Sequence, residues 1–346
     1  MKYILKKIRF IYFLFLPFAT FAQQIKLIDN KENHTVTVTV DHKPFTTLSY
    51  SDTLYKPFLY PIYASDGEVI TRGFPIAPRA NEPVDHPHHT GLWLNYESVN
   101  GLDFWNNSYA IPEEKNANYG WITNTSITSI KSGNIASLSY TAEWQNSNKK
   151  ALLKETTTFH FSVINNMRII DRITTLTASE DVTMPDVKDG FLGLRVAHEL
   201  ELPSKEDRQF TDMHGNVTFV KASADTLTTG NYLTSEGKQG DSAWGTRARW
   251  CMLYGKKGND SISIVIIDHK KNIGYPTYWH ARGYGLFAAN PLGQKIFSNG
   301  KQTLNFSLKK GESVTFRYRI VINAAIARLT TETIEKLTTA FNKIND

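Results

Sequence analysis

Three of the ten histidines fall within four positions, in the run Asp85-His86-Pro87-His88-His89. Imidazoles change charge near neutral pH and also bind metals, so such a run could move protons or hold a cation. On an extended chain His86 and His88 share a face while His89 points the other way, and Pro87 argues for an edge or a loop. Three adjacent titratable rings are costly to bury without a task. A chemical role for His86, His88 and His89 is therefore expected, rather than a packed turn on Trp93 and Trp105.

A second cluster lies far along the chain, in Tyr278-Trp279-His280-Ala281-Arg282-Gly283-Tyr284, followed by Asn290-Pro291. His280, Arg282 and Tyr284 alternate, so on a strand a base, a fixed cation and a phenol project to one side. That set suits an acidic sugar or another carboxylate. Between the clusters stand Asp186, Asp189, Arg195 and His198; a surface ion pair with Asp186 or Asp189 is the ordinary use of Arg195. Trp244 and Trp250 flank a further cation, Arg247. Tryptophans stack on sugar rings, although core packing is their commoner use.

The elements that must position these residues read as strands. Thr35–Val40 alternates valine with threonine, and 156–163 and 169–176 are two more strands joined by a tight turn at Asn165-Asn166. Residues 262–267 form a β-branched run of the fully buried kind, and 303–308 with 313–321 read as a closing pair around Lys310-Gly311. Only Ile334, Leu337, Phe341 and Ile344 recur at helical spacing, as one amphipathic helix laid on a β body. Repeats, low-complexity tracts and linkers are lacking. The economical reading is all-β: one large antiparallel β-sandwich domain over 23–346 with a C-terminal helix.

The chain has 346 residues, 41% of them hydrophobic and 21% charged, which supports a sizeable core and excludes a disordered chain. Residues 1–22 read as a secretory leader: basic to Arg9, apolar from Phe10 to Phe18, then Thr20-Phe21-Ala22 as a cleavage site. The leader takes four charges of the net +6, leaving +2, so a nucleic-acid partner is not expected. No later segment approaches the ~20 apolar residues of a membrane span. The expected product is an exported protein, periplasmic or extracellular. Cys251 is the single cysteine, which excludes an internal disulfide and reads as a small buried apolar residue.

Five motifs occur in order: DHPHHTGLW, VNGLDFW, DGFLGLRVA, WGTRARW and WHARGYGLFAANP. Together they resemble the bacterial PmoA-like family, often given the automatic label "methane oxygenase", over roughly residues 57–323. Asp189 stands where that family carries an acidic residue, commonly Glu. The label conflicts with the sequence, because such an oxygenase subunit spans the membrane several times. A copper site on an N-terminal His is also excluded by the predicted mature start at Gln23. The resemblance implies a galactose-mutarotase-like β-supersandwich from polysaccharide-degradation clusters, and by analogy a sugar-directed enzyme.

The chemistry expected from that resemblance is a lyase that removes water from the non-reducing-end uronic acid of ulvan-type oligosaccharides. Its C5 proton is acidic only because it lies α to the carboxylate, so a cation there would stabilise the enolate-like intermediate. Arg195 and Arg282 are the expected carboxylate clamp, with Trp105, Asn290 and Arg247 completing the substrate-binding set. His88 or His280 would act as base, and Tyr284 or the other His as acid. No cofactor is required, although a divalent metal at His86, His88 and a distant His or Asp is an open alternative. So are a glycoside hydrolase or epimerase with Asp103 and Asp186 as carboxylates, and a non-catalytic glycan-binding module built on Trp93, Trp105, Trp244 and Trp279.

Overall fold

Alternation of threonine and valine makes Thr35–Val40 a half-buried strand, and each of its valines is buried. In the computed structural model, which describes residues 23–344, twenty strands form. The first ten are β1 (Ile25–Asn30), β2 (Thr35–Val40), β3 (Lys43–Ser49), β4 (Phe58–Ile62), β5 (Leu92–Tyr96), β6 (Gly120–Lys131), β7 (Ile135–Asn146), β8 (Ala151–Ile164), β9 (Met167–Ala178) and β10 (Val182–Met184). The rest are β11 (Gly190–Arg195), β12 (Arg208–Thr211), β13 (Val217–Val220), β14 (Asn231–Thr234), β15 (Trp250–Lys257), β16 (Asp260–Asp268), β17 (Tyr278–Ala281), β18 (Leu286–Asn290), β19 (Phe306–Leu308) and β20 (Ser313–Ala325). Among the described residues the α-helices are a single turn, α1 (Gln294–Phe297), and α2 (Thr331–Phe341), beside four short 3-10 turns.

Two eight-stranded antiparallel sheets carry the architecture. The first runs β1-β2-β3-β4-β5-β11-β18-β17, the second β14-β15-β16-β20-β9-β8-β7-β6. Their inner faces meet in one core, where Phe45 meets Phe161, Phe191 meets Phe316 and Tyr232 meets Phe287. The fold class is the all-β sandwich with a C-terminal helix that the sequence pattern predicts. The β8–β9 hairpin turns at Asn165, whose φ of +55° is what a tight turn needs. Helix α2 starts at Thr330, whose hydroxyl accepts from the Thr333 amide. Its Ile334, Leu337 and Phe341 cover Met167, Trp250, Met252 and Ile267 on the outer face of the second sheet.

One expected pairing is different. Within 303–308 only β19 is a strand, and it pairs with β10 rather than with β20. The cause is Asp186, whose carboxylate accepts from the amides of Lys295, Leu304 and Asn305 and so holds that stretch by side chain instead of ladder. This use also removes Asp186 from the carboxylates considered for hydrolysis. Cys251 is fully buried, as expected. The leader expectation for 1–22 lies outside the described residues. Among the described residues no helix is long and apolar enough to cross a membrane.

The outer face of the first sheet carries a separate aromatic floor. Register aligns His280, Ala288, Gly193 and Trp93 in one row across β17, β18, β11 and β5. Gly193 is essential to it: a Cβ there would lie 2.5 Å from the Trp93 ring and 2.9 Å from Trp105. Gly193→Ala should therefore tilt both indoles and destabilise the fold by about 1–3 kcal/mol. Urea unfolding and tryptophan fluorescence check this, and an unchanged midpoint with an unchanged spectrum would contradict it.

Candidate active site

The histidine run is a turn, not an extended segment. His86 has φ +45°, and the His89 amide donates to its carbonyl. The expected division of faces is thereby overturned, because the turn gathers all three rings. His88 lies 5.6 Å from His86 and 4.3 Å from His89, centroid to centroid. His89 stacks on Trp93 at 5.3 Å, and His86 stacks on His89 at 4.8 Å in a nearly parallel plane. Tyr284 lies parallel to His86 at 4.9 Å, and Trp105 backs Trp93 at 5.1 Å. The outermost imidazole is His86, with its side chain 39% exposed.

Charge fixes this stack. Arg195 projects from the end of β11, fully buried, and donates to Asp85 at 2.7 Å, to Glu201 at 3.4 Å and to His89 Nδ1 at 3.3 Å. Arg72, also buried, donates to the same Asp85 oxygen and to the carbonyls of Pro83, Asp85 and His86. The second Asp85 oxygen lies 2.7 Å from His86 Nδ1. Burial disfavours the charged carboxylate, yet Arg195, His86 and Arg72 together hold Asp85 well below the usual range. An ionised Asp85 must accept from Nδ1, which leaves Nε2 of His86 as the ring's free acceptor. Arg195, expected as a substrate clamp, is instead the anchor of the turn.

The second cluster departs from strand alternation after Ala281. Arg282 and Tyr284 occupy the β17–β18 turn, closed by the Gly285 amide donating to the Arg282 carbonyl, with Gly285 at φ +86°. His280 stays on β17, 2% exposed, its Nδ1 3.6 Å from Asp189 and without a hydrogen-bond partner among the described residues. Burial, then Lys188, Arg282 and His86, pushes its pKa down to about 3. Burial and neighbouring cations likewise hold His88 and His89 well below the ordinary histidine value. Tyr284 moves the other way: burial raises its phenol, opposed by Arg195 and Arg282. Arg282 rests on the faces of Trp244 and Tyr284 at 5.7 and 5.6 Å, and no ion pair holds it among the described residues. It lines an open cleft of about 610 Å³ with Lys205, Arg208, Trp244 and Tyr284.

Three expected substrate-binding residues serve the scaffold instead. Asn290 is fully buried and donates to the carbonyls of Val187 and Lys188. Arg247 spends its donors on the carbonyls of Gly274, Tyr275 and Pro276 and on the Gln302 side chain. Trp105 is 1% exposed beneath the histidines, so no sugar can stack on it. Among the described residues no group of three or more His, Cys, Asp or Glu side chains could hold a metal ion. Sequence reasoning gave no role to Arg72, Asp85, Glu201 or Lys56. Lys56 is 3% exposed and donates to the His88 carbonyl at 2.8 Å, and burial lowers its amine to about 7 against the opposing pull of Asp103. The adjacent Asp-His pair in the sequence was the one available signal for Asp85.

The buried imidazoles set an acid limit. The unfolded chain binds protons at His88, His89 and His280 below about pH 6.5, whereas the folded state resists, so the unfolded state holds more protons and stability is lost as the pH is lowered below about 6.5. For His280 the fall continues towards pH 3. Each such histidine adds up to about 1.4 kcal/mol per pH unit to the slope. His280→Asn should flatten the dependence of the urea midpoint between pH 6 and 4; an equal slope would refute the neutral, buried state of His280.

Comparison with known proteins gives remote structural likeness. The GH36 alpha-galactosidase AgaB from Geobacillus stearothermophilus is 10% identical over 87% of this chain, with a TM-score of 0.38. This chain spans 41% of that enzyme's length. Slr1438 of Synechocystis sp. PCC 6803 is 9% identical over 89% of this chain and 99% of its own, at a TM-score of 0.30. A galactose mutarotase related enzyme from Lactobacillus acidophilus is 9% identical over 88% and 99%, at 0.27. Likeness this slight carries no argument about activity. No curated protein matches the chain. Residues 35–339, most of the sequence, match the family of unknown function DUF6807 rather than one under the PmoA-like name, and the chain belongs to that family.

Proposed function

We propose that this protein is an exported carbohydrate-active lyase that eliminates water from the non-reducing-end uronic acid of ulvan-type oligosaccharides. One observation carries the reading: a carboxylate-oriented imidazole, His86, stacks on a protonated phenol, Tyr284, which in turn touches Arg282, an arginine with no ion pair among the described residues. Export rests on the basic and apolar character of residues 1–22, and the sugar class on the motif resemblance.

In this mechanism Arg282 neutralises the uronate carboxylate, which acidifies the C5 proton and stabilises the enolate-like intermediate. The Nε2 of His86 takes that proton, and Asp85 stabilises the imidazolium that results. Tyr284, its phenol kept protonated by burial, donates to the departing C4 hydroxyl. The C5–H and C4–O bonds break, the C4=C5 bond forms, and water leaves. His86 takes the role of base ahead of His88 and His280. His280 is 2% exposed, while His88 faces a different cavity.

The test is incubation of purified protein with uronate-terminated ulvan oligosaccharides, read by mass spectrometry and ultraviolet absorbance. Expected are the loss of one water, a new conjugated chromophore and no chain cleavage. His86→Gln, at a partly exposed ring, should lower kcat about 10²–10⁴-fold, whereas Arg282→Gln should chiefly raise KM, by roughly ten- to hundredfold. A gain of water with shorter chains would assign hydrolysis instead, and full turnover in His86→Gln would remove His86 as the base.

A further inference from the structure

Of the seven tryptophans, five are buried to 1% exposure or less, and Trp244 carries Arg282 on its face. Trp121 differs: it is half-buried, and among the described residues no ring or cation stacks on it. It stands on β6, directly opposite Gln145 of β7. Successive side chains of a strand alternate faces, so Ile122 enters the core while Trp121 turns to the outer face of the second sheet. Around it opens a groove of about 260 Å³, which shares no lining residue with the Arg282 cleft.

Part of the groove is fixed by its own bonds. Gln145 accepts from Thr123 Oγ1 at 3.1 Å, and its amide donates to Glu143 at 2.7 Å. Asn124 donates to the same Glu143 oxygen at 2.9 Å, from a bulge where its φ is +53°. Other polar groups are left over. The indole Nε1 of Trp121 and the side chains of Asn116, Ser147 and Lys149 make no hydrogen bond to another described residue. An aromatic face rimmed by amide, hydroxyl and ammonium groups suits a pyranose, whose C–H face lies on the indole while its hydroxyls bond at the edge. Lys149 and Asp52 are the charged groups of the lining, one of each sign, so no net charge selects an ion. A peptide fits less well. The outward amides of β6 are already used, Ile122 on the Tyr55 carbonyl at 3.0 Å and Asn124 on Asp52 at 2.9 Å, so no strand can add at this edge. The volume falls just below the ~300–1,000 Å³ that encloses a drug-sized ligand, which suits one unit of a chain whose neighbours stay in solvent. We infer that the Trp121 groove is a binding site for neutral polysaccharide, separate from the acid-binding cleft. It holds the protein on a glycan without turning that glycan over, and it does not rest on the lyase reading.

The test is native electrophoresis of the full-length protein in gels containing xylan, laminarin or hydroxyethyl cellulose, each in turn. At least one should retard the wild type. Trp121→Ala should weaken that binding about tenfold, through loss of the stacking surface. Ser147→Trp fills the groove from an exposed turn position, keeps the Trp121 indole and should weaken binding at least as much. Should Trp121→Ala fail to fold, Ser147→Trp decides alone. Full retardation of either variant, or no retardation of the wild type by any of these polysaccharides, would overturn the inference. Arg282→Gln should be retarded like the wild type; loss of retardation there would assign the binding to the cleft and equally overturn it. None of these readings needs turnover, so they succeed or fail independently of the lyase reaction.

Discussion

The Asp85 carboxylate is the contact on which the site depends. Two guanidiniums, Arg72 and Arg195, are buried to 1% and 0% exposure, and both donate to it. Taking such cations out of water costs several kcal/mol each unless a counter-charge accompanies them. Their mutual repulsion adds to this: burial and Arg195 lower Arg72 to about 9. Asp85 therefore does three things through two oxygens. It neutralises the end of β11, it pins the turn over the aromatic floor, and it selects the tautomer of His86. Glu201 shares the load by accepting from Arg195, Arg208 and His198.

A second consequence concerns sign. The buried Arg72, Arg172, Arg195 and Arg319 each pair with a carboxylate, whereas the cleft presents Arg282 with no ion pair among the described residues. Burial first, then the positive charges of Lys188 and Arg282, disfavour protonation of His280 nearby.

Local pattern made the scaffold legible and left the long-range contacts hidden. Period-two valines mark β2, the Asn165 turn marks the β8–β9 hairpin, and helical spacing marks α2, each from residues within a few positions of one another. The histidine cluster and the Tyr278–Tyr284 segment, each picked out by residue type, do come together, with His86 stacked on Tyr284. Their geometry was not legible. His86 takes a positive φ that alternation does not foresee, and Gly283 and Gly285 bend the chain where a strand was expected. The partner of Asp85 lies 110 positions away at Arg195, beyond any motif. Asn290 and Arg247 have the polarity of binding residues, but their donors go to backbone carbonyls, which composition cannot distinguish.

The strand order of the first sheet bears on how the protein comes into being. Leu192 on β11 pairs with Leu94 on one side and Ala289 on the other, and both partners are distant in sequence. Pairings of that separation must close long loops before any contact compensates the lost entropy, so they form slowly. The β6–β9 meander is assembled from neighbours and can zip up first. The floor beneath His280 and Trp93 cannot exist until β18 has been synthesised and has docked. The floor is therefore completed by the last quarter of the chain, which makes packing of the Trp93 indole a late and stringent reporter of completed folding.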